Sequence, residues 1–294
     1  MRKKGNEIRK FWSLYVFIGI FGVLSFVFGL YPVLKSITLS FNESSTVFTN
    51  PEFVGLKNYR EILQDSYFWD SFKVTIFFTF VSVILNLAVA LILAQLLSYK
   101  GLGRGALVFK LAIFLPFIVP DVVGALVWKQ FFNTNGALNQ LLLLVGAQPV
   151  SWLNQPSTAL GVLVFVELWK HVGLYTIIFL TNYQLIDTTM YEAAGIDGAN
   201  AWQKYRYITL PALRPAVILN AVYAFIQFMK TYSVSRLITF GGPNYATNFV
   251  SYYAYTKYEK MDFGGATAIA TVLFAFIIIL TLISMKLGGD ENAK

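Results

Sequence analysis

Over 294 residues, charged side chains account for only 13% against 56% apolar and 17% aromatic, with a formal net charge of +8; a water-soluble domain needs charge on about a quarter of its residues, so much of this surface must face lipid. With no cysteine and one histidine, His171, the chain cannot build a Cys-rich zinc site, a two-histidine metal site, a disulfide or a cysteine nucleophile. It also lacks a G-x-x-x-x-G-K-[ST] loop and a G-x-S-x-G elbow, so any ATP energy must come from another chain.

A membrane helix needs about 20 apolar residues to cross a core of about 30 Å. Six windows reach that length: Phe11 to Leu34, Phe72 to Leu97, Leu107 to Phe131, Thr158 to Thr181, Ala212 to Ile238 and Phe263 to Met285. The expected fold is therefore all-α, a polytopic membrane protein with six transmembrane helices forming one domain over residues 1–294. Arg2, Lys3, Lys4, Arg9 and Lys10 precede the first window as they would a secretory signal. Its run is too long and no small-residue cleavage site follows, so it reads as an uncleaved span.

Six spans place both termini on one side, and Lys and Arg identify that side as the cytoplasm. The N-terminus, Lys100, Arg104, Lys110, Lys204, Arg206, Arg214, Lys286 and Lys294 together hold thirteen basic residues, whereas Lys35, Lys57, Arg60, Lys129, Lys257 and Lys260 make six opposite. Because this charge is divided among short loops, no basic face for nucleic acid results. Aromatics such as Tyr67, Phe68, Trp69, Tyr252, Tyr253 and Tyr255 crowd the outer loops as an interfacial belt. Gly101-x-Gly103-x-Gly105 reads as a short inward turn, since no strand precedes it. Pro116 and Pro120 are expected to kink the third span.

The inward segment 182–211 is too polar to enter lipid. Thr189-Met190-Tyr191-Glu192 fits a capping box at a first short helix, and Asn200-Ala201-Trp202-Gln203 a weaker one at a second. Gly195 and Gly198 lie between them, and Pro211 and Pro215 suit the first turn of the fifth span. On physics alone the segment reads first as a capped amphipathic helix on the bilayer surface. Glu192-Ala193-Ala194, three residues, Gly198, nine residues, then Ile208-x-Leu210-Pro211 resembles the EAA loop in membrane subunits of binding-protein-dependent ABC importers.

The resemblance extends along nearly the whole chain and points to the maltose-type sugar permeases. It is carried by Phe53-Val54-Gly55-Leu56-Lys57-Asn58-Tyr59, Phe114-Leu115-Pro116 with Pro120 and Trp128, Trp152-Leu153, Gly241-Gly242-Pro243-Asn244 and Asp262-Phe263-Gly264. The first-loop motif is similar to that of the first of two non-identical permeases. The resemblance implies a second, related permease, two copies of a cytosolic ABC ATPase that bind the ATP, an external solute-binding protein and a sugar substrate. This chain would itself hold no cofactor or metal and do no covalent chemistry. It would lie in the inner membrane as a multi-pass subunit. Glu192, Ala193, Ala194, Gly198, Asp197, Asn200, Ile208, Leu210 and Pro211 would form a coupling helix seated in a cleft of the ATPase, with Trp202 and Arg206 as further contacts.

Charge inside a span is costly unless paired or wetted, which singles out Asp121, Glu167, Lys170, His171 and Lys230. Glu167, Lys170 and His171 share one face of the fourth span, and Tyr223, Gln227 and Lys230 one face of the fifth. Such stripes on adjacent spans suggest a shared cavity. A plainer reading has Glu167 and Lys170 neutralise each other, or Lys170 and Arg236 snorkel to the interface. In maltose-type permeases the sugar is held by these two spans, and the corresponding positions here are Glu167, Lys170, His171, Leu174, Tyr223, Gln227 and Lys230. Two lysines against one glutamate suggest an anionic sugar. An ion-coupled secondary transporter acting without an ATPase is the alternative; it would show internal repeats and mid-membrane carboxylates. A membrane enzyme using Asp121 and Glu167 is a third reading.

Overall fold

The computed structural model of the chain describes residues 11–43, 51–98 and 105–289. Arg2, Lys3, Lys4, Arg9, Lys10, Lys100, Gly101, Gly103, Arg104 and Lys294, which enter the readings above, lie outside the described residues. In chain order, α1 (Trp12–Ser25) passes through a π-helical stretch (Phe26–Leu30) into α2 (Tyr31–Leu39). A hairpin of β1 (Asn42–Glu43) and β2 (Glu52–Phe53) precedes α3 (Lys57–Gln64) and α4 (Ser66–Leu97). Then come α5 (Gly105–Ile118), α6 (Asp121–Phe131), α7 (Ala137–Leu144), α8 (Pro156–Tyr183), α9 (Thr188–Ile196), α10 (Ala201–Lys204), α11 (Leu210–Ala212), α12 (Arg214–Met229), α13 (Val250–Glu259) and α14 (Phe263–Gly289). Apart from that hairpin, the regular structure among the described residues is helical.

Four helical stretches are long and apolar enough to cross a membrane: Leu14–Leu39, Ser66–Leu97, Pro156–Tyr183 and Phe263–Ser284. Two of the expected spans are not straight. The third is broken into Leu107–Ile118 and Asp121–Phe131 at 98°, and Ala201–Ala212 meets Arg214–Met229 at 62°. The first break has a clear cause. Pro120 has no N–H to continue the helical ladder and drives Val119 out of the helical region, whereas Pro116 sits inside α5. The fifth window, expected to run to Ile238, ends as a regular helix at Met229 and resumes as a π-helical turn, Ser235–Thr239. Pro215 lies in the first turn of α12, as its fixed φ suits.

The chain divides into two compact units, residues 1–64 with 254–272 and residues 65–253 with 273–294. In the first unit, Asn42 pairs with Phe53 and Glu43 with Glu52. Buried Asn58 donates to the carbonyls of Ser40 and Asn42, both at 2.9 Å, and Tyr59 shares a 2.5 Å hydrogen bond with Ser40. Gly264 is glycine for a local reason: a Cβ there would meet the Asn42 carbonyl and lie 2.7 Å from the Asn58 amide. Asp262 caps the adjoining turn by accepting from the Gly265 amide at 2.8 Å. The motifs around residues 53–59 and 262–264 thus form a single structural joint.

In the second unit, α4, α8 and α12 pack around Phe78, Leu163, Tyr175, Phe179, Ala224 and Phe228, all nearly inaccessible. Small residues bring the backbones close, as membrane helices without a hydrophobic driving force between them require. Ala90 and Ala94 are fully buried on α4, and a Cβ at Gly173 of α8 would collide with the backbone of Ile113 and Phe114 on α5. The loop before α8 is pinned by Asn139, whose amide nitrogen donates to the carbonyls of Thr134 and Val150 and whose oxygen accepts from the Trp152 indole at 3.0 Å. Gly241 takes φ +77°, and Thr247 ties its turn together through Ser235, Thr239 and the Gly242 carbonyl.

Candidate functional site

The segment between α8 and α12 folds as two short capped helices. The first starts two residues earlier than the expected capping box at Thr189. Asp187 is its N-cap, accepting from the Thr189 amide at 2.9 Å, and those hydrogen bonds hold the Asp187 carboxyl below its ordinary value. The second carries the full reciprocal box: Asn200 accepts from the Gln203 amide at 2.9 Å, and the Gln203 side chain accepts from the Asn200 amide at 2.8 Å. Between them Gly198 turns the chain at φ +80°, and the Ala199 amide donates back to the Ala194 carbonyl at 2.9 Å. Gly195 stays within the first helix, where a Cβ would lie 3.0 Å from the Lys204 ammonium.

Glu192, Ala193, Asp197, Gly198, Asn200 and Pro211 are exposed, whereas Ala194, Ile208 and Leu210 are half-buried. Tyr191 and buried Thr209 share a 2.8 Å hydrogen bond that ties α9 to the π-helical residues before α11. Large apolar side chains stand out from this elbow. Ile196 is 88% exposed, and Trp202 and Tyr207 are also exposed, with Trp202 stacked on Tyr205. Four-residue α10 cannot support itself in isolation, so its shape depends on the cap, the Tyr191–Thr209 contact and the adjoining helix.

Where α8 and α12 pack, the two polar stripes are linked only through neighbouring residues. Tyr175 lies edge-on to Tyr223 at 6.3 Å, His171 edge-on to Phe228 at 5.6 Å, and Asn220 donates to the Tyr175 carbonyl at 3.4 Å. Gln227 donates to the Tyr223 hydroxyl at 3.0 Å. Leu174 is half-buried beside them and Lys230 is exposed just past the end of α12. Two cavities, of about 580 and 520 Å³, lie elsewhere, the first around Leu126, Gln130 and Phe131 and the second around Phe80, Arg214 and Phe225. We place the site by its polar chemistry, because both cavities are largely apolar grooves.

Glu167 and Lys170 do not neutralise each other. Glu167, 6% exposed, accepts from His171 Nδ1 at 2.9 Å, while Lys170 pairs across to Asp121 and donates to the Val119 carbonyl at 2.9 Å. Asp121 thereby removes one of the two ammonium groups behind the expectation of an acidic sugar. Arg236 stacks over Phe240 at 5.5 Å, which Lys129 also faces at 4.4 Å.

Two features escaped the sequence reading. Asp121 was visible as a charge in a span, but its partner lies 49 residues away on another helix. Buried Ser71, Thr75, Thr79, Ser82 and Asn86 form a polar seam along α4, at the spacings of three and four that mark one helix face. Two of them accept from a distant segment: the Asn248 amide donates to the Ser71 hydroxyl, and the Val250 amide to that of Thr75, each at 2.9 Å. That spacing was readable and is the signal that was available.

A family model described as binding-protein-dependent transport system inner membrane component matches residues 87–287. The trehalose/maltose transport system permease protein MalF of Thermococcus litoralis is 33% identical over 263 residues, covering 89% of this chain and 88% of that protein. The arabinooligosaccharides transport system permease protein AraP of Bacillus subtilis is 32% identical over 287 residues, covering 95% and 90%. Among solved structures, a bacterial ABC transporter involved in the import of the acidic polysaccharide alginate superposes with a TM-score of 0.82. It is 20% identical and covers 98% of this chain and 99% of that one, a likeness of fold.

Proposed function

The chain belongs to the family of binding-protein-dependent transport system inner membrane components, and from this premise we propose how its geometry serves as the permease subunit of an ATP-driven sugar importer. Its relatives named for trehalose/maltose and arabinooligosaccharide transport support a sugar or oligosaccharide as the substrate. The observation that carries the coupling mechanism is the elbow between α8 and α12. It is capped at both helices, turned by Gly198 and faced with exposed Ile196, Trp202 and Tyr207.

A shape-fixed projection that mixes exposed apolar and polar side chains suits insertion into a cleft of a partner protein, here a cytosolic ATPase. Glu192, Ala193, Ala194, Asp197, Gly198 and Asn200 form its tip, and Ile208, Leu210 and Pro211 join it to the fifth span. Each bent helix pair counts as one span, which gives six and leaves both termini in the cytoplasm. A second, related permease completes the pore, two ATPase copies bind the ATP, and a solute-binding protein delivers the sugar to the outer loops. The elbow joins the two helices that carry the polar stripes, so movement of the ATPase pair reaches Glu167, His171, Tyr223 and Gln227 directly. The pathway then alternates between inward-open and outward-open states.

Purification of the tagged chain from its native membranes in mild detergent, followed by mass spectrometry, tests this assembly. Recovery of a second permease and an ATPase is expected. Recovery of the chain alone, after cross-linking and with nucleotide present, would contradict it.

A further inference from the structure

Importer coupling leaves one charged pair without a task. Lys170 lies midway along the 28-residue helix α8, and Asp121 opens α6 at the break midway through the third span. Both therefore sit near the middle of the bilayer, where a carboxylate must be paired or wetted. Asp121 meets both conditions. Its Oδ1 pairs with the Lys170 ammonium, yet its side chain stays 60% exposed against 13% for Lys170. Its Oδ2 faces the Ser233 hydroxyl at 3.5 Å. Lys170 also donates to the Val119 carbonyl at 2.9 Å, the group left open where α5 ends. The lysine is committed on both sides, and the accessible polar group of the pair is the acid.

We propose that Asp121 is a specificity-determining residue of the translocation path. Clamped by Lys170, its exposed carboxylate keeps this mid-membrane stretch free of net charge and offers acceptors to the hydroxyls of a neutral sugar. Acidic sugars gain nothing from Lys170 there, because that cation is already paired. This inference rests on the reading of α8 and α12 as walls of the sugar path. Without Asp121, Lys170 would stand bare in a narrow low-dielectric passage and concentrate anions.

The absence of cysteine makes the test direct, since Ser233→Cys introduces a single thiol beside Asp121. Membranes holding the complete importer are treated with a cationic and an anionic methanethiosulfonate of matched size, and adducts on this chain are followed by mass spectrometry. Both reagents are expected to react at similar rates. Adding Asp121→Asn is expected to raise the anionic-to-cationic rate ratio by about tenfold or more, and adding Lys170→Met instead to move it the other way. Reaction with neither reagent, with or without ATP, or a ratio unmoved by Asp121→Asn, would overturn the proposal. If Asp121→Asn fails to accumulate, the Lys170→Met arm decides alone, and an unmoved ratio there is equally fatal. Uptake measured on the same membranes keeps the two readings apart: loss of ATP dependence with the labelling pattern intact would count against the importer and leave Asp121 standing.

Discussion

Asn58 is the residue on which the first unit's joint turns. Its buried amide satisfies the carbonyls of Ser40 and Asn42, both at 2.9 Å, and truncation leaves them without that donor. Asn58→Ala is expected to lower stability by about 1–3 kcal/mol, read as an earlier thermal transition of the purified protein. A transition unchanged from the parent would show that water replaces the amide. At Asp187 the expected effect is pH-dependent. Hydrogen bonds from Thr189 hold the folded carboxyl below its ordinary value of 3.8, so its contribution is complete above that value and lost as pH falls through the lower folded one. Amide exchange in the first turn of α9 should accelerate over that acid range. Asp187→Asn keeps a competent cap and should abolish the acceleration.

Among the elements, the elbow ties sequence to mechanism most closely. Its existence was legible because capping and helix-ending residues act locally: Asn200 with Gln203 closed the expected box, and Gly198 took the positive φ that its place after a helix suggested. The start of α9 was misread because Asp187 and Thr189 are both competent caps, and the choice between them depends on where the chain leaves α8. The broken third span was legible only in part. Pro120 announced a disturbance, but a 98° turn also needs something to satisfy the open Val119 carbonyl, and that donor is Lys170 on a different helix. Gly198→Pro or Ala194→Trp should leave the protein inserted at normal levels while abolishing sugar-stimulated ATP hydrolysis and uptake. Undiminished uptake at normal expression would remove the elbow from the coupling path.

Across the whole molecule, composition and periodicity carried the class of protein, since scarce charge and six apolar windows admit little besides a polytopic membrane chain. They carried the pathway less well. Spacing placed Glu167 with His171 and Tyr223 with Gln227, pairs within single helices that the structure bears out as contacts. Charge pairing across helices was beyond reach of spacing, so the count of two lysines against one glutamate omitted the carboxylate of Asp121. In the proposed assembly, pore and coupling surface are shared with partner subunits, which would give exposed Ile196 and Trp202 a surface to seat against. The most direct measurement is therefore uptake of a labelled sugar, maltose first and then an arabinooligosaccharide, into vesicles carrying the reconstituted importer and its binding protein, with ion gradients collapsed by ionophores. Uptake that requires ATP and persists without gradients is the expected result. Uptake that stops with the gradients and ignores ATP would contradict the function proposed for this chain.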